Sequence, residues 1–250
     1  MKQRKPFFYR LIQGTVRLLY RKYTVTEENP SETGGNIYIS NHAQIHGPIG
    51  HQLYFPRAKK IWVIGEMCNR QEACDYSIKD FWPHKSRTTK WIYILFSKLV
   101  ISWLAPYLFT HADTIPVYKD IRLRQTMNLT IDALERGEDV VIFPEHQVVY
   151  NRYINDFQEH FVDVAKRYTR RVGKNLQFYP VYTCPSLKKI LIGQPITYDA
   201  THQPDEERIR IITHLQNEIT RLGDSLPNHT IVPYANINKK KRPKSKEETL

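Results

Sequence analysis

Basic and imidazole side chains occupy positions in this chain where a proton-transfer or anion-binding site could form. His42 stands just after the short run 36–40 and Asn41, and near pH 7 a neutral imidazole can take a proton from a hydroxyl group. Lys119, Arg122 and Arg124 follow another such run and could hold an anionic group such as phosphate. The sequence therefore suggests a hydroxyl-activating base combined with cations that hold a negatively charged substrate.

The histidines of the same region also raise the alternative of a metal site. On a helix, His42 and His46 would share one face, as two metal ligands do. Further candidate ligands are His51, Glu145 and His146. The metal alternative has the ligand set His42, His46 and His146. The glycines and the proline within residues 47–50 argue against a continuous helix there, which disfavours this alternative.

An alternation of strands and helices must position these side chains. Apolar runs predict strands at 36–40, 60–65, 114–118, 140–143, 177–181 and 190–193, and periodicity predicts helices at 127–136, 157–168 and 205–222. This order is typical of an α/β domain with a largely parallel central sheet flanked by helices. Chemistry in such sheets usually lies at the carboxyl ends of strands. Here those ends carry Asn41-His42, Lys119 and Glu145-His146.

Composition restricts the class of protein and its partners. The 250 residues carry a net charge of +12 and are 41% hydrophobic, which excludes a disordered, collagen-like or coiled-coil chain. Three cysteines without a C-x-x-C pattern favour a reducing compartment over a disulfide framework. The positive charge favours nucleic acid, anionic lipid or a phosphorylated substrate. Nucleic acid is the less favoured partner, because no zinc finger, RNP-like strand or clear helix-turn-helix is present.

Two segments suggest contact with a membrane. Residues 6–23 predict an amphipathic N-terminal helix whose apolar side faces away from Arg10, Arg17 and Arg21. The apolar stretch 91–109 has about the length of a membrane span, but Lys98 and Pro106 favour a shallow attachment, with a core helix as the alternative. No secretory signal is visible. We therefore expect peripheral or monotopic association with an anionic membrane surface on the cytoplasmic side.

The predicted domain organisation has three parts. Residues 1–30 form the basic amphipathic helix and its lead-in. Residues 31–235 form the α/β domain, which includes the apolar helical segment 89–111. Residues 236–250 form a basic tail that we expect to be disordered, since it is a run of charge.

Four sequence blocks, taken in order, resemble the PlsC-type glycerolipid acyltransferases, whose best-known members are lysophosphatidic acid acyltransferases. The family block N-H-x-x-x-x-D is similar to residues 41–47, and G-x-I-P-V-x-R to 113–119. F-P-E-G-T-R-S is similar to 143–149, and the proline-centred strand of the family to 179–182. The order and spacing of the blocks are more specific than any block alone.

The resemblance implies roles for individual residues, and some of the family's residues are missing. It implies that His42 is the catalytic base, yet the aspartate that orients this histidine in the family is replaced by Gly47. The family arginine that binds the acceptor phosphate is replaced by Val148. We therefore expect Glu145 to orient His42 or to shape the acceptor pocket. The expected substrate-binding residues are Asn41, Lys119, Arg122, His146 and Arg152.

The function implied by the resemblance is membrane-associated O-acyl transfer in phospholipid biosynthesis. An acyl chain would move from acyl-CoA or acyl-carrier protein to a lysophospholipid-like or other hydroxyl acceptor. No cofactor is expected, since a thioester is already activated and a base with correct positioning suffices. Two alternatives stay open: a pseudoenzyme that binds lipid or a protein partner without turnover, and a site rebuilt around His42, His46 and His146.

Overall fold

The computed structural model describes residues 5–81, 86, 88–235, 237 and 239–246. The chain divides into two compact units, where a single α/β domain was expected over 31–235. The smaller unit comprises Met1–Val16 and Lys60–Leu129, and the larger unit comprises Arg17–Lys59 and Thr130–Leu250. Residues 1–4 and 247–250, the ends of the predicted N-terminal segment and of the basic tail, lie outside the described residues.

All six predicted strands are present, together with further helices and strands that the sequence did not predict. In chain order they are α1 (Phe7–Leu19), β1 (Thr24–Glu27), β2 (Ile37–Ser40), α2 (His46–Tyr54), β3 (Lys59–Ile64), α3 (Arg70–Tyr76), α4 (Lys90–Phe96), α5 (Ser102–His111), β4 (Thr114–Val117), α6 (Leu123–Glu135), β5 (Asp139–Ile142), β6 (Glu145–Val149), β7 (Asn155–Phe157), α7 (Asp163–Val172), β8 (Gln177–Cys184), β9 (Lys189–Ile192), β10 (Ile196–Thr197) and α8 (Pro204–Asp224).

The sheet of the larger unit has the strand order β1-β9-β8-β2-β5. The pairs β1–β9, β8–β2 and β2–β5 are parallel, whereas β9 and β10 each pair with β8 in the antiparallel direction. Every residue of β2 and β5 is buried, as expected for central strands of a parallel sheet. The predicted α/β class with a mostly parallel sheet flanked by helices is confirmed.

Helix α8 covers part of this sheet by packing against β8. Its buried apolar residues recur every three or four positions, at Ile211, Leu215, Ile219 and Leu222. Strands β6 and β7 form a separate antiparallel pair. The buried sheet is therefore a rigid support for the loops that leave its carboxyl edge.

The smaller unit combines the parallel pair β3–β4 with helices α3, α4 and α5. Its core contains Met67, Ala73 and Ala105, with Tyr76, Ile101 and Phe109 packed around them. A π-helical turn, Ser97–Ile101, joins α4 to α5. Among the described residues, Lys90–His111 is the helical stretch whose length and composition would allow it to cross a membrane, and only 11% of its apolar window is buried.

Two parts of the predicted secondary structure differ from the structure. The helix predicted at 157–168 begins only at Asp163, since residues 155–157 form β7 and a 3₁₀ turn, Glu159–Val162, follows. Residues 46–54 form the regular helix α2 in spite of their glycines and proline. Pro48 lies in the first turn of α2, where a helix tolerates a residue without an N–H group.

The described part of the basic tail contacts the larger unit, in contrast with the disorder expected for it. Lys244 forms a β-bridge with Thr230. Ser245 is fully buried. Its main-chain N–H donates to the carbonyl oxygen of His229 at 2.9 Å, and its Oγ accepts the N–H of His229 at 3.0 Å. The tail segment is therefore placed close enough to the domain to affect its loops.

Candidate active site

The loops after β2 and β5 leave the sheet side by side. These strands are parallel neighbours, with Ile39 opposite Ile142, so their carboxyl ends lie at the same edge. The first loop carries Asn41 and His42, and the second consists of residues 143–144, after which β6 begins at Glu145. The first and third family-like blocks thus meet, as their positions after apolar strands predict.

The His42 ring has a defined tautomer. Its Nδ1 forms a hydrogen bond with the carbonyl oxygen of Gln44, and a carbonyl oxygen only accepts, so Nδ1 carries the proton. Nε2 therefore carries the lone pair, and no hydrogen bond to it is found among the described residues. The ring is half-buried between Phe143 and Tyr234, with centroid distances of 5.4 Å and 5.7 Å. The free nitrogen is the one that a general base needs.

Burial sets the protonation state of this ring. It lowers the pKa of His42 below the usual 6.5, and the hydrogen bond to the Gln44 carbonyl opposes that shift in part. The imidazole is therefore neutral at pH 7 and able to accept a proton.

A strained turn delivers the Gln44 carbonyl to His42. Ala43 and Gln44 have φ angles of 45° and 56°, in the left-handed region that residues other than glycine seldom adopt. The Gln44 side chain is held at both ends. Its Nε2 donates to the carbonyl oxygen of Ala235 at 3.1 Å, and its Oε1 accepts from Nη2 of Arg242 at 2.9 Å. The C-terminal segment thus fixes the residue that orients His42.

Glu145 holds the backbone of His42 and not its ring, which corrects the expectation that this carboxylate orients the imidazole. Its Oε2 accepts the main-chain N–H of His42, and its Oε1 accepts the N–H of Asn155 at 2.7 Å. The side chain is buried, and burial raises the pKa of Glu145 to about 7 although both N–H donors favour the charged form. Glu145 is a positioning residue that joins the two loops.

The position of the missing aspartate has no room for a side chain. A Cβ atom on Gly47 would overlap the carbonyl oxygen of His42 and lie 2.9 Å from that of Asn41. The Gly47 N–H also donates to the His42 carbonyl oxygen at 3.1 Å. The turn at 43–44 therefore requires a residue without a side chain at position 47. The carbonyl of Gln44 makes the contact that orients the His42 ring.

Asn41 is a structural clamp, which corrects its expected role in substrate binding. The side chain is buried; its Nδ2 donates to the Thr183 carbonyl oxygen at 3.0 Å, and its Oδ1 accepts the Thr183 N–H at 2.6 Å. Both ends of the amide are occupied by β8. Asn41 therefore joins the end of β2 to β8 and leaves no polar group for a ligand.

His51 lies in a sealed polar cluster below the loop. Its Nε2 is 3.2 Å from Ser40 Oγ and 3.1 Å from Thr183 Oγ1. The side chain is fully buried, and burial lowers the pKa of His51 to about 3. Its Nδ1 has no hydrogen-bond partner in the described part of the chain. This histidine is a neutral core residue.

The predicted anion-binding residues have other partners or lie in the other unit. Arg152 forms an ion pair with Asp224 at 2.6 Å, and His146 lies 3.7 Å from Asp156. Lys119 and Arg122 belong to the smaller unit, where Arg122 binds two carboxylates, those of Asp120 and Glu72. The structure therefore pairs Arg152 and Arg122, both expected to bind the substrate, with carboxylates of the protein. It does not bring Arg152 into contact with His42.

The metal alternative is not supported by the described residues. Within residues 5–81, 86, 88–235, 237 and 239–246, no three His, Cys, Asp or Glu side chains form a group that could hold a metal ion. His42 contacts Gln44, and His46 shares a hydrogen bond of 2.7 Å with the Tyr20 hydroxyl. His146 faces Asp156. The three histidines have separate environments.

The residues that hold His42 in place could not be predicted from the sequence. Gln44 acts through its main chain, which no residue type reveals. Tyr234 and Arg242 lie about two hundred positions along the chain from the loop that they contact, and Arg242 stands in the tail expected to be disordered. The only signal in the sequence was the missing aspartate at Gly47, which required a replacement.

Comparisons with known proteins give a structural similarity. No family model matches the chain, and no curated protein sequence matches it. Among solved structures, it is similar to the crystal structure of the 1-acyl-sn-glycerophosphate (LPA) acyltransferase PlsC from Thermotoga maritima. The identity is 11% and the TM-score 0.45, over 86% of this chain and 79% of that chain. A similarity of this size carries no argument about activity, for which the residues of the site must be used.

Proposed function

We propose that this protein is an O-acyltransferase in which His42 is the general base. It would move an acyl chain from an acyl thioester, acyl-CoA or acyl-carrier protein, to a lysophospholipid-like or other hydroxyl acceptor. One observation carries the proposal: at the carboxyl edge of the sheet, Nδ1 of His42 is held by a carbonyl and Nε2 is left for a substrate. The sequence blocks at 41–47 and 143–149 supply the class of reaction.

In the proposed reaction, His42 takes one proton from the acceptor and then gives it to the leaving group. Nε2 of His42 takes the acceptor's hydroxyl proton while the oxygen attacks the thioester carbonyl carbon. The C–S bond then breaks, and the thiolate leaves with the proton from the imidazolium. The Gln44 carbonyl accepts a hydrogen bond from Nδ1 throughout and favours the imidazolium in the transition state. Glu145 keeps the loop in register with β6 through the main chain of His42.

The pseudoenzyme alternative is not favoured by this geometry. Loss of the orienting aspartate would leave the tautomer of the ring undefined if nothing replaced it. The Gln44 carbonyl defines the tautomer of His42 instead. The side chain of Gln44 is in turn hydrogen-bonded to Ala235 and Arg242. A carbonyl stabilises the imidazolium less than a carboxylate does, so we expect a slower enzyme and not an inactive one.

Transfer of labelled acyl groups from a panel of thioesters tests the proposal. His42→Ala should lower kcat/KM by about 10²–10⁴-fold, the usual contribution of a general base. His160→Ala is the matched control, because His160 is exposed in a 3₁₀ turn and should retain wild-type activity. Turnover by the wild type should persist down to pH 6.5 and fall in more acidic solution, since the pKa of His42 is lowered. Equal turnover in wild type and His42→Ala would remove His42 from the mechanism.

We further propose that the smaller unit attaches the enzyme to a membrane surface. Large apolar side chains of α4, the π turn and α5 are exposed, among them Trp91, Leu99 and Trp103 at 61%, 64% and 58%. In the same unit, Phe8 of α1 contacts Tyr107 of α5 with ring centroids 5.6 Å apart. An apolar surface of this kind fits shallow insertion into lipid. The three free cysteines fit the cytoplasmic side.

Vesicle co-sedimentation tests this attachment. Leu99→Glu should weaken partitioning onto vesicles that contain phosphatidylserine by about tenfold, because an apolar contact is lost and a charge enters the interface. Ile209→Glu is the matched control, since Ile209 is 66% exposed on α8 of the larger unit. Equal retention of both variants would show that the apolar surface of α4–α5 does not bind lipid.

A further inference from the structure

Cations of the larger unit surround the outer side of the His42 loop. Arg242 donates to the side chain of Gln44 at 2.9 Å. Lys188, in the turn between β8 and β9, places its Nζ 5.9 Å from the ring centroid of Tyr20. The Tyr20 hydroxyl in turn shares a hydrogen bond of 2.7 Å with His46, the first residue of α2.

Lys239 joins the same group. Burial and then the charges of Lys188, Arg242 and Lys239 lower the pKa of His46, so all three cations lie near this histidine. They come from separate places in the sequence: the β8–β9 turn and two positions of the tail. Lys239 and Arg242 belong to the basic run of the tail, and the fold brings Lys188 to the same histidine.

Unlike several arginines of this protein, these three cations have no ion-pair partner among the described residues. In the described part of the chain, no carboxylate lies within 4.0 Å of Lys188, Lys239 or Arg242. The Nε–H of Arg242 is shielded from solvent without a hydrogen-bond partner among the described residues. A guanidinium donor kept from water without an acceptor is unfavourable, and an anionic oxygen would satisfy it. By contrast, five arginines of the described residues each bind two acidic residues: Arg57, Arg122, Arg171, Arg208 and Arg221.

We propose that Lys188, Lys239 and Arg242 form a binding site for a phosphomonoester beside His42. A phosphomonoester carries close to two negative charges at pH 7 and several acceptor oxygens, which suits two lysines and one arginine without counter-ions. The proposal assigns the anion to these residues in place of Arg152, which is paired with Asp224.

The position of the site gives it a role in the reaction, and this role rests on the proposed function. Arg242 contacts Gln44, and the carbonyl of Gln44 contacts the ring of His42. A phosphate held by Arg242 is therefore separated from the base by one intervening residue. An acceptor that carries both a phosphate and a hydroxyl group would present the hydroxyl towards Nε2.

Binding of soluble phosphates tests the site without any turnover. Calorimetric titration with glycerol 3-phosphate and with inorganic phosphate should show binding to the wild type. The triple variant Lys188→Gln, Lys239→Gln, Arg242→Gln should bind at least tenfold more weakly. The matched control Lys166→Gln, Arg167→Gln, Lys174→Gln removes the same charges from α7 and the turn after it, and should bind within twofold of the wild type. Circular dichroism of each variant establishes that it is folded.

A second experiment distinguishes a soluble phosphomonoester from the headgroup of a lipid. Co-sedimentation with vesicles of phosphatidic acid in phosphatidylcholine measures binding to a lipid headgroup. Loss of glycerol 3-phosphate binding in the triple variant supports a site for soluble phosphomonoesters, and loss of vesicle binding alone supports a site for the lipid headgroup. Unchanged binding in both arms, or an equal loss in the α7 control, would overturn the proposal. The single variant Arg242→Lys should keep more affinity than Arg242→Gln in either case.

The variant His42→Ala separates this site from the proposed function. It should bind glycerol 3-phosphate as the wild type does, since His42 contributes no charge to the cluster. If phosphate binding depends on the three cations while His42→Ala keeps full turnover, the site stands and the proposed mechanism fails. If His42→Ala loses turnover while the triple variant keeps its phosphate affinity and its KM for the acceptor, the mechanism stands and the site is wrong.

Discussion

Two histidines of the larger unit contact the Phe143 ring and differ in burial and in hydrogen bonding. The centroid of Phe143 is 5.4 Å from the ring of His42 and 5.5 Å from that of His51. His51 is fully buried, and its Nε2 is engaged by the hydroxyl groups of Ser40 and Thr183. His42 is half-buried, and its Nδ1 is engaged by a carbonyl. One ring is sealed in the core and the other keeps a nitrogen at the edge of the sheet.

The difference teaches that position after a strand does not by itself make a catalytic histidine. Burial lowers the pKa of both rings, so both are neutral at pH 7. What separates them is which nitrogen is engaged and how deeply each ring is buried. The chemistry of His42 depends on Gln44, and the stability of the core depends on His51.

The largest expected effect is the acid sensitivity caused by His51. Its pKa is lowered from 6.5 to about 3 in the folded protein, so the unfolded chain binds more protons between these values. The free energy of unfolding should therefore fall as the pH drops below 6.5, by about 3 kcal/mol between about pH 6.5 and about pH 4 from this group. Urea unfolding of the wild type and of His51→Phe at several pH values measures this slope.

His51→Phe should have the flatter profile, since phenylalanine cannot be protonated and the Ser40 and Thr183 hydroxyl groups still bind each other. A folded His51→Phe should also retain acyl transfer, in contrast with His42→Ala. If the variant loses stability in acid as steeply as the wild type, the buried imidazole is not the acid-sensitive group.

A smaller effect is expected from Gly47→Ala, which tests the loop of the other histidine. The new Cβ would overlap the His42 carbonyl oxygen and must displace the turn, at a cost of about 1–3 kcal/mol. Activity should fall as well, because the turn carries the Gln44 carbonyl. Gly14→Ala is the control: among the described residues, no atom outside the adjacent backbone of α1 lies within 4 Å of the new Cβ, and alanine in helix α1 should be neutral or stabilising. Thermal unfolding and kcat/KM of both variants decide the outcome, and wild-type activity in Gly47→Ala would contradict the assigned role of the turn.

The sequence was sufficient for the six apolar strands, which are β2, β3, β4, β5, β8 and β9, and for the position of His42 after β2, because both follow local rules. Apolar runs at 36–40 and 140–143 became the buried strands β2 and β5, and parallel pairing put the residues after them at one edge. The same rules assigned Asn41 to the substrate wrongly, since its clamp on Thr183 depends on β8, 142 positions away. Contacts of that separation leave no local pattern.

The partners of His42 were beyond prediction for a similar reason. Every residue has a carbonyl oxygen, and only the left-handed turn at Ala43 and Gln44 directs this one to the ring. Arg242 is 198 positions from Gln44, in a basic run whose composition is that of a solvated tail. Long-range packing therefore decided both the tautomer of the base and the placement of the cations beside it.

The most direct test of His42 as the base is the protonation of its ring in solution. Long-range ¹H–¹⁵N correlation spectra of the wild type, assigned with His42→Ala and His51→Phe, identify the protonated nitrogen of each imidazole. The expected result at pH 7 is a neutral His42 with its proton on Nδ1 and a bare Nε2, which titrates below pH 6.5. A proton on Nε2 of His42, or a ring charged at pH 7, would contradict its role as the general base.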